Sequence, residues 1–284
     1  MTLGQSIAET RKRLEPHYSD GEARALVREI LFRLKGWTPV DIAVKADEPV
    51  SGFIQSKISE AVDRLLRDEP VQYIFRRATF YGLDFTVTPD VLIPRPETAE
   101  LVDIIVGDHS GQSDLRVADL CTGSGCIACA LARNLPFAEV TAIDISEPAI
   151  AVARENASQL KVDVDVRRDD VLALTQPEAP LYDIIVSNPP YITQSEKTSV
   201  DANVLLYEPH SALFVPDTDP LLFYEAIGLY AVKALAPRHS LYLEINPLHA
   251  EALRDMLARQ GWHDIDLRRD TSGKLRFAIA TRTS

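Results

Sequence analysis

Past Leu115 the chain alternates. Short apolar runs, "LRVADL", "EVTAID", "VDVDVRR", "YDIIVSN", "SLYLEIN", "IDLRR" and "RFAIATR", are separated by stretches in which apolar residues recur at helical spacing. Strands that alternate with helices return to one sheet through crossovers, so the sheet is mostly parallel, wound on both faces and apolar along its strands. The last two runs allow an antiparallel hairpin at the end of that sheet. The pattern also says where a ligand can go, because sheets of this kind bind outside the carboxyl ends of their strands.

Those strand ends carry chemistry. "VADLCTGSGCIACAL" sets Asp119 at the end of the first strand and Gly123 and Gly125 in a tight turn that opens a helix. Glycine permits positive φ and lets a ligand come close to the backbone. The spacing is not that of a dinucleotide fingerprint, and an acid at the strand end repels a pyrophosphate but suits the ammonium of an amino acid. That combination points to S-adenosylmethionine, with S-adenosylhomocysteine as product, and not to NAD. Asp144 ends the second strand, twenty-five residues after Asp119, where a carboxylate can accept both hydroxyls of a ribose. Asp170 follows the third, where it can accept from an adenine amino group while the Val171 N–H donates to the ring.

The fourth strand stops at "SNPPYI". Asn188 brings a side-chain carbonyl, and Pro189 and Pro190 fix φ and remove their own N–H donors, so a backbone carbonyl stays exposed as a second acceptor. Two rigid acceptors match the two hydrogens of a planar NH2 group, and Tyr191 offers a flat face for stacking. The motif reads as a clamp for an amide or aromatic amine, activated by orientation because no carboxylate base lies within it.

The first 76 residues have a different grammar. Ser19 and Glu22 make a capping box ahead of Leu26, Val27, Ile30, Leu31 and Leu34, and a second amphipathic stretch carries Ile54, Ile58, Ala61, Val62, Leu65 and Leu66. With residues 3 to 14 these form a small helical bundle. "ATFYGLDFTVTPDVLIP" switches to strand periodicity around Gly82 and predicts a hairpin. The expected division is a helical domain over 1–76, a hairpin linker over 77–96 and a catalytic domain over 97–284, with an irregular connection from Thr193 to Thr218. Thirty basic against 42 acidic residues give a net charge of -12, which disfavours a nucleic-acid partner. Cys121, Cys126 and Cys129 lack the companions that a tetrahedral zinc site needs, so no metal is expected. With no apolar run of membrane-spanning length and no signal peptide, a cytoplasmic protein is expected.

These motifs resemble the class I, Rossmann-like S-adenosylmethionine-dependent methyltransferases. More narrowly, "EPVQYIFRRATFYGLDFTVTPDVLIPRPETAELVD", "DLCTGSG", "SNPPYI", "YEPHSAL" and "DTSGKLRF" resemble the HemK/PrmC family of protein-(glutamine-N5) methyltransferases. The resemblance implies a mostly parallel seven-stranded sheet with a small helical N-terminal domain. It also implies methyl transfer to the glutamine of a Gly-Gly-Gln motif in class I peptide chain release factors, in support of translation termination, by a monomer. Cys121, Thr122, Gly123, Ser124 and Gly125, with Asp119, Asp144, Asp170, Val171 and Asn188, would contact the cofactor. Asn188, Pro189, Pro190 and Tyr191 would hold the glutamine, Thr98 would meet the cofactor's methionine carboxylate or cap its helix, and Phe80 would wall the methyl site. Glu208 and His210 are further candidates for shaping the pocket. Cys121 stands where the first loop glycine is usual, Arg76 replaces a common glycine before the hairpin, and Asn246 replaces the usual glycine of "LEIN". The rival reading is a nucleic-acid amino methyltransferase, since adenine N6 or guanine N2 presents the same NH2 group to the same clamp.

Overall fold

The computed structural model describes residues 1–177 and 181–282. The chain divides into two compact units, residues 1–77 with 201–207, and residues 78–200 with 208–284. The first unit is helical: α1 (Leu3–Leu14), α2 (Asp20–Lys35), α3 (Pro39–Val44), α4 (Gly52–Leu65) and α5 (Val71–Phe75). Thr2, Ser19 and Thr38 each open a helix with a reciprocal capping box, to Gln5, Glu22 and Asp41. Such boxes satisfy the donors that a helix start leaves unpaired. Gly36 ends α2 in the left-handed region at φ 68°. Leu14, Val27, Ile30, Leu31, Ile58, Val62 and Leu65 fill the core of this unit. A short helix at Ala202–Tyr207 belongs to it too, and the Tyr207 hydroxyl donates to the Arg67 carbonyl over 2.7 Å.

The second unit starts at Ala78, within the hairpin β1 (Arg77–Phe80) and β2 (Leu83–Thr86), which turns through Tyr81 and Gly82, both at positive φ. There follow α6 (Pro96–Asp108), β3 (Arg116–Leu120), α7 (Cys126–Asn134), β4 (Glu139–Asp144), α8 (Glu147–Leu160), β5 (Val164–Arg168), β6 (Tyr182–Ser187) and β7 (Ile192–Thr193). After α9, the Ala202–Tyr207 helix, come β8 (Phe214–Val215), α10 (Leu222–Ala234), β9 (Leu235–Glu244), α11 (Ala250–Arg259), β10 (His263–Arg269) and β11 (Leu275–Thr281). Seven strands form one sheet in the order β10-β11-β9-β6-β3-β4-β5. β11 runs antiparallel to both neighbours and all other pairs are parallel. The alternating pattern therefore gives the class I methyltransferase architecture, with the antiparallel pair at its end.

Strand parity splits the core into two layers. Val117, Ala142, Ile184, Val186 and Tyr242 face α6, α7 and α8, whereas Ala118, Leu120, Ile143, Ile185, Leu241 and Leu243 face α10 and α11. Side chains alternate across a strand, so Asp119 shares the face of Val117, and Glu244 shares that of Tyr242. The strand order reverses between β3 and β6, which makes their carboxyl ends the switch point of the sheet. The segment from Thr193 to Thr218, expected to be irregular, carries 3-10 turns at Gln194–Ser199 and His210–Ala212 besides α9 and β8. Glu196 anchors it, accepting from the Thr193 N–H and hydroxyl and from the Asn246 side chain. Among the described residues no helix is long and apolar enough to cross a membrane.

Candidate active site

A cavity of about 310 Å³ opens beyond the carboxyl ends of β3, β4 and β6. Its floor is the loop between β3 and α7, of which Cys121, Thr122, Gly123 and Ser124 reach the cavity. Gly123, at φ 55°, has open space where a Cβ would project. Gly125, at φ 77°, would set a Cβ 3.1 Å from that of Ala153 on α8, so it serves helix packing and does not line the cavity. Cys121 adopts φ 60°, the conformation a glycine takes without strain. Burial pushes its thiol, and those of Cys126 and Cys129, far above the ordinary range. Asn156 of α8 holds the loop from behind. Its Oδ1 accepts from Thr86 N at 2.7 Å, and its Nδ2 donates to the carbonyls of Thr86 at 3.0 Å and Ser124 at 2.9 Å.

Asp119 lies fully buried beneath this loop and is not in the cavity wall. The Thr122 hydroxyl at 2.5 Å and the Ala128 N–H at 3.1 Å both donate to its Oδ2, and its Oδ1 has no partner. Burial, opposed by those two hydrogen bonds, pushes its carboxyl up to about 7. A buried acceptor without a donor fits a nearby cation supplied by a ligand. Asp144 does line the cavity. It accepts from Gly123 N on Oδ2 and from Ser146 N on Oδ1, both at 2.9 Å, and each oxygen keeps lone-pair capacity for a diol. Asp170 caps the turn at Val171 through the Leu172 N–H at 2.9 Å, and both Asp170 and Val171 line the cavity. Ile145 and Leu172 border the same region although 56% and 44% exposed, an apolar rim suited to a flat ring. The cavity wall thus fits S-adenosylmethionine, with a diol acceptor, a ring edge and an apolar rim, and Asp119 sets a buried carboxyl beneath its floor.

The clamp hangs from a buried hydrogen-bonded chain. Asn188 Nδ2 donates to Thr98 Oγ1 at 3.3 Å, and Thr98 Oγ1 donates to Glu244 Oε2 at 2.6 Å. The Tyr191 hydroxyl donates to Glu244 Oε1 at 3.1 Å. Asn188 and Pro190 line the cavity, while Pro189 and Tyr191 are not in its wall. Burial lifts the Glu244 carboxyl above the ordinary glutamate range, and the two hydroxyls and Arg276 pull it back in part. No group of three or more His, Cys, Asp or Glu side chains among the described residues could hold a metal.

Two expectations need correction. Phe80 does not wall the site: it packs edge-on against Phe85, 6.0 Å between ring centroids, in the core under the hairpin. Thr98 lines the cavity but does not cap α6, because Arg95 is the N-cap and Thr98 sits three residues into the helix. Its hydroxyl is spent on Glu244, and the start of α6 has no side-chain cap, so backbone N–H groups are what it offers an anion. Glu208 shapes the wall from behind. Its carboxylate accepts from the Ile93 N–H at 3.1 Å and from Arg95 at 2.6 Å. His210 stacks edge-on against Phe214.

Three site residues escaped the sequence reading. Ile145 and Leu172 follow the strand-end acids Asp144 and Asp170 closely, and that adjacency was the available signal. Glu244 is an acid in the otherwise apolar run "SLYLEIN", at a position whose parity turns it inward.

Comparisons with known proteins give the family of the chain. Residues 5–75 match the model of the PrmC N-terminal domain, and residues 101–214 match that of the methyltransferase small domain. The release factor glutamine methyltransferase of Bacteroides thetaiotaomicron is 44% identical over 280 residues, 99% of this chain and all of that protein. Its counterpart in Flavobacterium psychrophilum is 40% identical over 255 residues, 89% of this chain and 88% of the other. A methyltransferase from Pyrococcus furiosus has the same fold at 16% identity, with a TM-score of 0.52, across 80% of this chain and all of that one. Matched over nearly its whole length at 44% identity, the chain belongs to the release factor glutamine methyltransferase family.

Proposed function

We propose that this chain transfers the methyl group of S-adenosylmethionine to the side-chain amide nitrogen of the Gly-Gly-Gln glutamine in a class I peptide chain release factor. The observation that carries the reading is the orientation of Asn188. Its NH2 group is engaged inward by Thr98, so its carbonyl is the end left for an incoming N–H. The Pro189 carbonyl is the second acceptor. Together they take both hydrogens of the substrate amide, push electron density onto its nitrogen and align it for attack.

Alignment of this kind is worth up to about 7 to 11 kcal/mol in favourable cases. S-adenosylmethionine, when bound, supplies a sulfonium methyl electrophilic enough for a neutral nitrogen. Asp144 faces its ribose, Asp170 and Val171 its adenine between Ile145 and Leu172, and the N–H groups that start α6 its carboxylate, while Asp119 acts on its ammonium from beneath the loop. Dipoles of the clamp stabilise the positive charge growing on nitrogen, and the proton then leaves to water. The helical unit of residues 1–76 recognises the factor, and the chain works as a monomer in the cytoplasm, where termination occurs.

Relatives named for release factor glutamine methylation, matched end to end at 44% identity, favour a protein amide over a nucleobase. The test is transfer of label from S-adenosylmethionine to a purified class I release factor, beside its Gly-Gly-Gln glutamine-to-alanine variant and unmethylated duplex DNA. Label on the intact factor alone is expected, and label on DNA would overturn the substrate assignment.

A further inference from the structure

The chain Glu244–Thr98–Asn188 has a direction, and one proton sets it. An ionised carboxylate only accepts. The Thr98 hydroxyl, 2.6 Å from Glu244 Oε2, must then give its single proton to that oxygen. Its own oxygen is left as an acceptor, so Asn188 can approach it at 3.3 Å only with the NH2 end of its amide. The carbonyl end faces the cavity by elimination. Tyr191, donating to Glu244 Oε1, ties the other side of the clamp to the same carboxylate.

We infer that Glu244, acting through Thr98, sets which end of the Asn188 amide is presented to the substrate. It is a positioning residue that never touches the reacting atoms, and the inference rests on the reading of Asn188 as the amide clamp. When Glu244 takes up a proton the chain can run backwards. Its O–H donates to Thr98, Thr98 donates to the Asn188 carbonyl, and the NH2 end turns to the cavity. A donor then meets the donor hydrogens of the substrate amide, and the clamp no longer binds it.

Charged and hydrogen-bonding groups from several elements act on the Glu244 carboxyl. It is 2% exposed. Glu97 of α6 adds a repelling charge, whereas Arg276 of β11, itself bonded to Asp270 at 3.3 Å, attracts. The Tyr224 hydroxyl of α10 donates to the backbone carbonyl of Glu244 at 3.1 Å, not to its carboxyl, and accepts from the Asn246 N–H at 3.3 Å. Burial dominates and raises the carboxyl.

The test reads the Asn188 side chain directly. In the 15N–1H spectrum of the protein, its NH2 pair is identified by its disappearance in Asn188→Asp and followed across the whole pH range in which the chain stays folded. The pair is expected to move in one titration step in the wild-type chain and to stay put in Glu244→Gln. A pair that does not move, or moves alike in Glu244→Gln, overturns the relay whatever the substrate is. In parallel, kcat on the release factor is expected to fall at least about tenfold in Thr98→Val, with cofactor affinity within about threefold, and to recover in Thr98→Ser, which keeps the hydroxyl. Wild-type kcat in Thr98→Val also overturns the relay. A moving pair without any methyl transfer by the wild-type chain leaves the relay standing and brings down the functional reading instead.

Discussion

Asp119 permits a test of the site through stability. Its carboxyl is fully buried with one oxygen unpartnered, and burial lifts it to about 7. In an unfolded chain an Asp titrates near pH 4. The folded protein therefore holds this proton more tightly than the unfolded one. The stabilisation is complete below the unfolded value and is lost as pH rises through about 7. The whole window spans about 4 kcal/mol, of which about 1.4 kcal/mol falls between pH 8 and pH 6. For a unit of this size that is about 3 to 6 °C in Tm. Asp119→Asn removes the proton at small structural cost, because both donors converge on Oδ2 and an amide oxygen there keeps both bonds. Thermal unfolding of the two unliganded proteins at pH 6 and pH 8 is the assay. The wild type is expected to gain about 3 to 6 °C more than Asp119→Asn on acidification. General relief of the net charge of -12 acts on both chains and cancels in the difference. Saturating S-adenosylhomocysteine should reduce the excess, since an ammonium bound above the loop draws the pKa of the buried carboxyl back down. Equal gains in the two unliganded proteins would refute the reasoning, because Asp119 would then be titrating in the ordinary range.

Four further outcomes follow from the same contacts. Gly125→Ala is expected to destabilise by about 2 to 4 kcal/mol in denaturant titration, from left-handed strain plus the clash with Ala153. Gly123→Ala meets no atom, so it should cost only about 1 to 2 kcal/mol of stability while weakening cofactor binding in calorimetry. Asn156→Ala strands a buried N–H and two carbonyls, and a loss of about 3 to 5 kcal/mol is expected in the same titration. Asn188→Ala should lower kcat on the release factor by about 10² to 10³ while leaving cofactor affinity within about tenfold, read by single-turnover label transfer and calorimetry.

Most of the fold was legible because its signals are periodic. Apolar runs spaced by helical stretches from "LRVADL" onward gave the strands, and the Ser19–Glu22 box gave the start of α2. The acids at strand ends were legible for a related reason, since a charge that closes an apolar run stands out. What escaped depends on contacts between distant segments. Phe80 looks the same in sequence whether it walls a cavity or packs on Phe85, and only the docking of the hairpin decides. Thr98 reads as a cap beside "PRPE", yet its partner lies 146 residues away on β9. Glu244 could have been found from parity, but its use depends on α6 crossing that strand end, which no local pattern announces. The segment after the clamp looked irregular because its order comes from Glu196 and Asn246, two side chains fifty residues apart.

The three hydrogen bonds of Asn156 also bear on how the protein comes into being. They join Thr86, Ser124 and Asn156 itself, segments separated by 32 and 70 residues. Contacts between such remote segments are made late, since the loop between them must close before they pay back its entropy. The cofactor loop is consequently among the last parts to settle, after the hairpin has docked on α8. Newly made chains should acquire affinity for S-adenosylmethionine in the same cooperative step that completes the second unit. A refolding experiment that follows ligand binding beside tryptophan fluorescence, through Trp262 in its core, would see one transition.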